Sequence, residues 1–344
     1  MATFSPSPAF RDQAPYRTGV LLVNSGTPNS LDTYGVRSFL RRLLRDRRTI
    51  EVPRAIWCWI LYLGILPLRP ARVLPKYRRI WTDGPPLLRH SVALRDALRA
   101  QLKTRLNETV AVELGMLYSS PDVAQGLDAL RAAGAQRILV LPLFPQYSGT
   151  TNGAALDQVG VALRAWRFVP ELHFVPDYAG NDLYIEALAA SVREHYLTHG
   201  AGDHLLVTFH GIPAQYIAAG DPYLRKCQAT AQALVTKLGL AEGQWSLSFQ
   251  SRVGRAEWLK PYTEAEVRKL AQRGVKRLDA ICPGFAVDCL ETVDEIGHEC
   301  DVLFRAHGGE ALRYIPALNS GPAQVALLTQ LITSQLPAGS ATAP

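Results

Sequence analysis

Four carboxylates and one imidazole carry the chemistry legible in this chain. Residues 279–301 read DAICPGFAVDCLETVDEIGHECD, and no Lys or Arg occurs between Arg277 and Arg305. On a helix that begins near Val287, at about 100° per residue, Asp288, Glu291, Glu295 and Glu299 share one face. Leu290, Val293 and Ile296 take the other. Like charges three or four residues apart cost roughly 0.2–0.5 kcal/mol per pair, so the column calls for a cation. A solvated acidic face is the plain alternative. The positive charge of the rest of the chain, and the position of these acids just after a strand end, point instead to a divalent metal ion. His210 closes an apolar strand ahead of Gly211 and Pro213. A neutral imidazole there can accept a proton or bind a metal near pH 7. Together these groups suit metal insertion, with the ion carried by the acids and displaced protons leaving through the histidine.

The elements that must position these groups repeat. GVLLV at 19–23, followed by Asn24-Ser25-Gly26-Thr27-Pro28, is echoed by LLVTFHGIP at 205–213. Segment 110–114 is echoed by 245–249, and GAQRILVLPLF at 134–144 by GVKRLDAICPGF at 274–285. Three echoes in one order, separated by amphipathic helical stretches, predict two copies of one α/β unit with parallel sheets flanked by helices. A cleft between them would receive ligand loops from both. The turn-rich PDYAGND at 175–181 sets the boundary, giving an N-terminal domain over 16–176 and a C-terminal one over 177–336. The last helical stretch, 324–336, is expected to close the second unit. Residues 1–15 and 337–344 read as disordered tails.

The chain has 344 residues and a formal charge of +7, which favours anionic partners. Its arginines cluster at Arg37, Arg41, Arg42, Arg45, Arg47 and Arg48, but no interleaved aromatic ladder accompanies them, so nucleic-acid binding is not expected. Five cysteines without a C-x-x-C pair suit reduced thiols in the cytoplasm. No apolar signal segment opens the chain. Segment 55–68, AIWCWILYLGILPL, is uncharged, too short to span a bilayer and flanked by Arg54, Arg69 and Arg72. It reads either as an interfacial anchor or cleft lip within 53–82, placing the protein at the inner face of a membrane, or as an ordinary buried helix. Trp258, Phe285 and the Trp57/Trp59 lip offer a flat apolar slot, and Arg78 and Arg79 offer cations for an acidic ligand.

At these residues the chain closely resembles the ferrochelatase family over about residues 17–335. The motifs are VNSGTP, KYRRIW, PLFPQYSGTT, TFHGIP with GDPY, FQSRVG with EWLKP, and PGFAVDCLETVDEI. The resemblance implies two similar Rossmann-like domains and a lyase that inserts Fe2+ into protoporphyrin IX in the last step of haem biosynthesis. It implies His210 and Glu291 as catalytic residues and as metal contacts, with Glu295 and Glu299 on a path for metal along a helix of π character. Asp288 is included in that metal set from the column read above. Arg78 and Arg79 fall where the family faces propionates, and Tyr147 and Trp258 fall at porphyrin-pocket positions; Phe285, from the apolar slot read above, and Ser25 are included in the expected pocket. Many relatives have His where this chain has Cys289, and some have Met at Ser25. No Cys follows Cys300, so no iron–sulfur cluster and no tightly bound cofactor is expected, iron being substrate. The alternatives are a chelatase for another tetrapyrrole, inserting iron into coproporphyrin or cobalt into sirohydrochlorin, and a non-catalytic porphyrin or haem carrier.

Overall fold

A computed structural model describes residues 17–106, 110–254 and 256–336; the expected tails lie outside the described residues. The chain divides into two units, one formed by Met1–Leu143, Gly149–Asp177 and Ser320–Pro344, the other by Phe144–Ser148 and Tyr178–Asn319.

Unit 1 is built on a parallel sheet ordered β2-β1-β3-β4, with β1 Thr18–Asn24, β2 Ala111–Met116, β3 Arg137–Pro142 and β4 Glu171–Phe174. Val20, Leu21, Leu22 and Val23 are all fully buried. A continuous apolar run of this kind belongs to a strand covered on both faces, where alternation would be lost. The helices are α1 Thr33–Arg45, α2 Arg54–Trp59, α3 Leu66–Ile80, α4 Pro86–Leu106, α5 Val123–Ala132 and α6 Ala154–Leu163. Leu94, Leu98 and Leu102 of α4, spaced one turn apart, form its buried stripe.

The apolar segment 55–68 runs through α2, a π-helical stretch Ile60–Ile65 and into α3. Leu61 and Leu66 are buried, but Trp59 is 70 % exposed, Leu63 68 %, and Ile56 and Leu68 58 % each. Burial therefore does not account for this segment's composition. No helix among the described residues is long and apolar enough to cross a membrane.

Unit 2 repeats the plan. Its sheet is ordered β6-β5-β7-β8, with β5 His204–His210, β6 Trp245–Gln250, β7 Arg277–Ile281 and β8 Ala311–Ile315. Its helices are α7 Asp182–His199, α8 Ala214–Ala218, α9 Tyr223–Leu238, α10 Thr263–Gln272 and α11 Asp301–Ala306, with a π-helix at Leu290–Cys300. Strand alternation sorts β7 into two faces. Leu278, Ala280 and Cys282 pack with Leu206, Val267, Ile296 and Phe304. Asp279 points to the opposite face, where its carboxylate accepts from Arg313 Nε at 2.7 Å and from Gly202 N at 2.7 Å.

Two segments depart from the expected division. The last helix, α12 Pro322–Thr333, packs on α4 and belongs to unit 1, not unit 2; it buries Leu327, Leu328 and Ile332 completely. The loop Phe144–Ser148 goes the other way. Gln146 Nε2 donates to Thr230 Oγ1 at 3.1 Å and Ser148 Oγ donates to Asp221 Oδ2 at 2.8 Å, tying it to unit 2.

Candidate active site

In unit 2 the chain leaves β5 toward one side of the sheet and β7 toward the other. The crevice beyond the carboxyl ends of these neighbours is the topological switch point, where open α/β sheets take their ligands. His210 is the last residue of β5, and the carboxylate helix follows β7.

His210 Nδ1 lies 2.7 Å from Gly211 O. A carbonyl oxygen only accepts, so Nδ1 carries a proton, and in the neutral form of the ring it is Nε2 that holds the lone pair. The chain after β5 pairs with the segment around Trp258: Ala214 N donates to Glu257 O at 2.9 Å and Leu259 N to Ile212 O at 3.0 Å. This brings the Trp258 ring centroid to 6.3 Å from the imidazole, with Phe285 at 6.5 Å. Gly211 permits the approach. A Cβ there would lie 3.0 Å from Gln250 O and 3.2 Å from Trp258 Cε3.

The carboxylate helix is wound with i→i+5 hydrogen bonds over Leu290–Cys300 and does not begin at Val287. Cys289 caps it in an extended conformation, φ −147°. A π-helix holds more residues per turn than an α-helix, so a four-residue step falls short of a full turn instead of overshooting one. Glu291, Glu295 and Glu299 thus keep a column, each roughly 5–6 Å from the next at Cβ. Asp288 drops out of it. Preceding the cap, its Oδ1 accepts from Tyr314 OH at 2.6 Å and Thr292 Oγ1 at 3.0 Å, and its Oδ2 from Asn319 Nδ2 at 2.8 Å. These bonds anchor Asp288 to the segments that carry Tyr314 and Asn319. Among the described residues no three His, Cys, Asp or Glu side chains converge to cage a metal ion. Glu291, Glu295 and Glu299 form a row of single carboxylates along the helix.

A buried hydrogen-bond network holds the row against β6. Gln250, opposite His210 in the strand register, donates through Nε2 to Glu291 O at 2.8 Å. Its Oε1 accepts from Thr208 Oγ1 at 3.3 Å and from the Cys282 thiol at 3.7 Å. The Thr208 and Ser248 hydroxyls both meet Thr263 Oγ1, at 2.8 and 2.9 Å. One turn further along, the Glu295 carboxylate accepts from Ser251 N at 2.7 Å and Ser251 Oγ at 2.6 Å. Ser251 sits at φ +65°, a left-handed conformation that a non-glycine residue adopts only at a cost.

The match to known proteins covers this whole arrangement. The ferrochelatase family model spans residues 17–336. A ferrochelatase of Thioalkalivibrio sulfidiphilus is 47% identical over 324 residues, 94% of this chain and 88% of that one. One from Nitrosococcus oceani is 45% identical, covering 95% and 89%. The chain belongs to the ferrochelatase family. Among solved structures, SirB from Bacillus subtilis with Fe3+ superposes with a TM-score of 0.56 at 12% identity, over 95% of this chain and 96% of that one. CbiX, described as the terminal enzyme for biosynthesis of siroheme in denitrifying bacteria, gives 0.52 at 14% identity, over 93% and 100%. At such identities the likeness is one of fold.

Of the expected site residues, unit 2 holds His210, Glu291, Glu295, Glu299, Trp258, Phe285 and Tyr147, the last half-buried in the loop Phe144–Ser148. Ser25, Arg78 and Arg79 belong to unit 1. Ser25 follows β1, and the two arginines stand exposed in the last turn of α3. Gln250 and Ser251 were missed as contributors, although FQSRVG was among the ferrochelatase motifs; their roles are bonds to a helix some 40 residues later in the chain. Cys289 and Cys282 are thiols rather than thiolates. Burial pushes both well above the usual cysteine range, reinforced by Glu291 for the first and Asp288 for the second.

Proposed function

We propose that this enzyme, a metal-chelating lyase, inserts Fe2+ into protoporphyrin IX to give protohaem and two protons, with His210 as the base and Glu291 as its acidic counterpart. The observation that carries the assignment of roles is the hydrogen bond from His210 Nδ1 to Gly211 O, which leaves Nε2 free to accept. Forming the metal complex removes two pyrrole protons as one dication enters, so a base and a set of oxygen ligands must act together. In this reading iron steps along Glu299, Glu295 and Glu291 while the two pyrrole protons pass in turn to His210 Nε2 and from it to solvent. Trp258, Phe285 and Tyr147 give the macrocycle apolar walls. In unit 1, Arg78 and Arg79 offer guanidinium forks suited to carboxylates.

An anaerobic absorbance titration with protoporphyrin IX and Fe2+ tests the reading. The free-base visible bands collapse into those of protohaem if it is right. Tight binding without that collapse indicates a carrier instead, and parallel runs with coproporphyrin, or with sirohydrochlorin and Co2+, separate the related chelatases. We also infer a cytoplasmic enzyme in peripheral contact with the inner face of a membrane, on the strength of exposed Ile56, Trp59, Leu63 and Leu68. Flotation with liposomes, lost in W59S/L63S, is the expected result; no flotation of the parent protein refutes it.

A further inference from the structure

The arginine cluster on α1 has no part in the chemistry above. Arg41, Arg42 and Arg45, with Asp46, Tyr118 and Gln158, line a cavity of about 350 Å³ in unit 1. None of the three guanidinium groups makes a hydrogen bond or ion pair among the described residues. A neighbouring arginine shows the contrast: Arg48 Nε is 2.8 Å from Asp157 Oδ2. Arg41 and Arg45 are four residues apart, Arg42 and Arg45 three, so they repel along the helix. The helix dipole favours Arg42 and Arg45, which lie in the last turn. It does not require that they surround a hollow.

The floor of the cavity is fixed. Tyr118 is buried, and its hydroxyl donates to Asp46 Oδ2 at 2.9 Å. Burial and the Asp46 charge raise the phenol far above its ordinary pKa, so it stays neutral. Gln158 Nε2 is spent on Leu117 O at 3.1 Å. Three guanidiniums set against the Asp46 carboxylate leave an excess of two positive charges on the lining. A carboxylate offers two oxygens in one plane and suits one or two forks. A tetrahedral phosphate can engage three from different directions, and its dianion matches the excess charge.

We propose that the α1 cavity of unit 1 is a binding site for a phosphate-bearing anion, either a soluble phosphate compound or the headgroup of an anionic phospholipid. Two arms separate the sources. The full chain is titrated calorimetrically with inorganic pyrophosphate, and it is sedimented with phosphatidylcholine vesicles with and without phosphatidylglycerol. R41A/R45A is the test variant and R273A, an exposed arginine of unit 2, is the control.

Saturable pyrophosphate binding that weakens about tenfold or more in R41A/R45A and not in R273A assigns a soluble ligand. Extra vesicle binding gained only with phosphatidylglycerol, and lost in the same variant, assigns the lipid headgroup. In both cases iron insertion and melting temperature stay near those of the parent, since the arginines are exposed and unpaired. Absence of saturable binding in both arms, or binding that R41A/R45A leaves unchanged, overturns the proposal.

Discussion

The two units are the same scaffold finished in different ways. Both sheets run in the same strand order, and β1 and β5 are each seven residues long, so Asn24 stands at the position of His210. Asn24 is buried and spent locally: Nδ2 donates to Ser91 Oγ at 3.2 Å, and Oδ1 accepts from Ser25 N at 2.8 Å. His210 spends only one nitrogen. A π-helix also follows the third strand in both halves of the chain, as GTTNG at Gly149–Gly153 and as LETVDEIGHEC at Leu290–Cys300. Only the second carries carboxylates. The topology supplies a place for ligands twice, and the residue types at the strand ends differ between the two places.

The sharpest way to break this contrast is to exchange its two poles. His210→Ala should lower iron insertion by about 10²–10⁴-fold with porphyrin binding retained. Asn24→Ala should leave turnover near the parent value while costing about 1–3 kcal/mol of stability, because buried partners lose their bonds. Turnover assays beside denaturant melts give both numbers, and a large turnover loss in the Asn24 variant would erase the distinction. Next in size, Glu291→Gln keeps the shape of the row but not its charge, and should cost about 10²-fold or more in the same assay. A parent-like rate would remove that carboxylate from the reaction. A smaller effect is expected at Gly211→Ala. The added methyl would sit 3.0 Å from the β6 backbone and 3.2 Å from Trp258, so one of them must give by a few tenths of an ångström, and turnover should fall by less than about tenfold with a slightly lowered melting temperature.

The smallest effect compares the two ends of one strand. His204 opens β5, where desolvation lowers its pKa from the ordinary 6.5 and Ser246 Oγ lies 3.0 Å from its Nε2. The unfolded chain therefore takes up a proton at a higher pH than the folded one. That contribution to stability is full above about pH 6.5 and erodes as pH falls through the folded pKa. His204→Gln should narrow the gap between melting temperatures measured at about pH 7.5 and pH 5.5. An unchanged gap would show that this histidine titrates alike in both states.

Much of the scaffold can be read from the chain because parallel strands buried on both faces leave uninterrupted apolar runs, and those runs recur with their following turns. His210 was legible for the same reason: it ends such a run beside Gly211. The winding of the carboxylate helix was not legible from periodicity, since a spacing of four fits both an α-helix and a π-helix; only family resemblance pointed to it. Asp288 was misplaced because Tyr314 and Asn319, which hold it, lie far along the chain. Gln250 and Ser251 act through bonds between elements that no local pattern connects. The last helix was assigned to the wrong sheet because an apolar face says that it must be buried, not against which neighbour.

That helix bears on how the protein is made. The first unit emerges from the ribosome without α12, and the buried side chains of α4 that it covers must wait for the final stretch of synthesis. A chain stopped at Asn319 would therefore injure the half translated first, leaving the half that bears His210 and the glutamates nominally whole. Premature termination and loss of the catalytic groups are separate injuries here, and limited proteolysis of nascent chains would tell them apart.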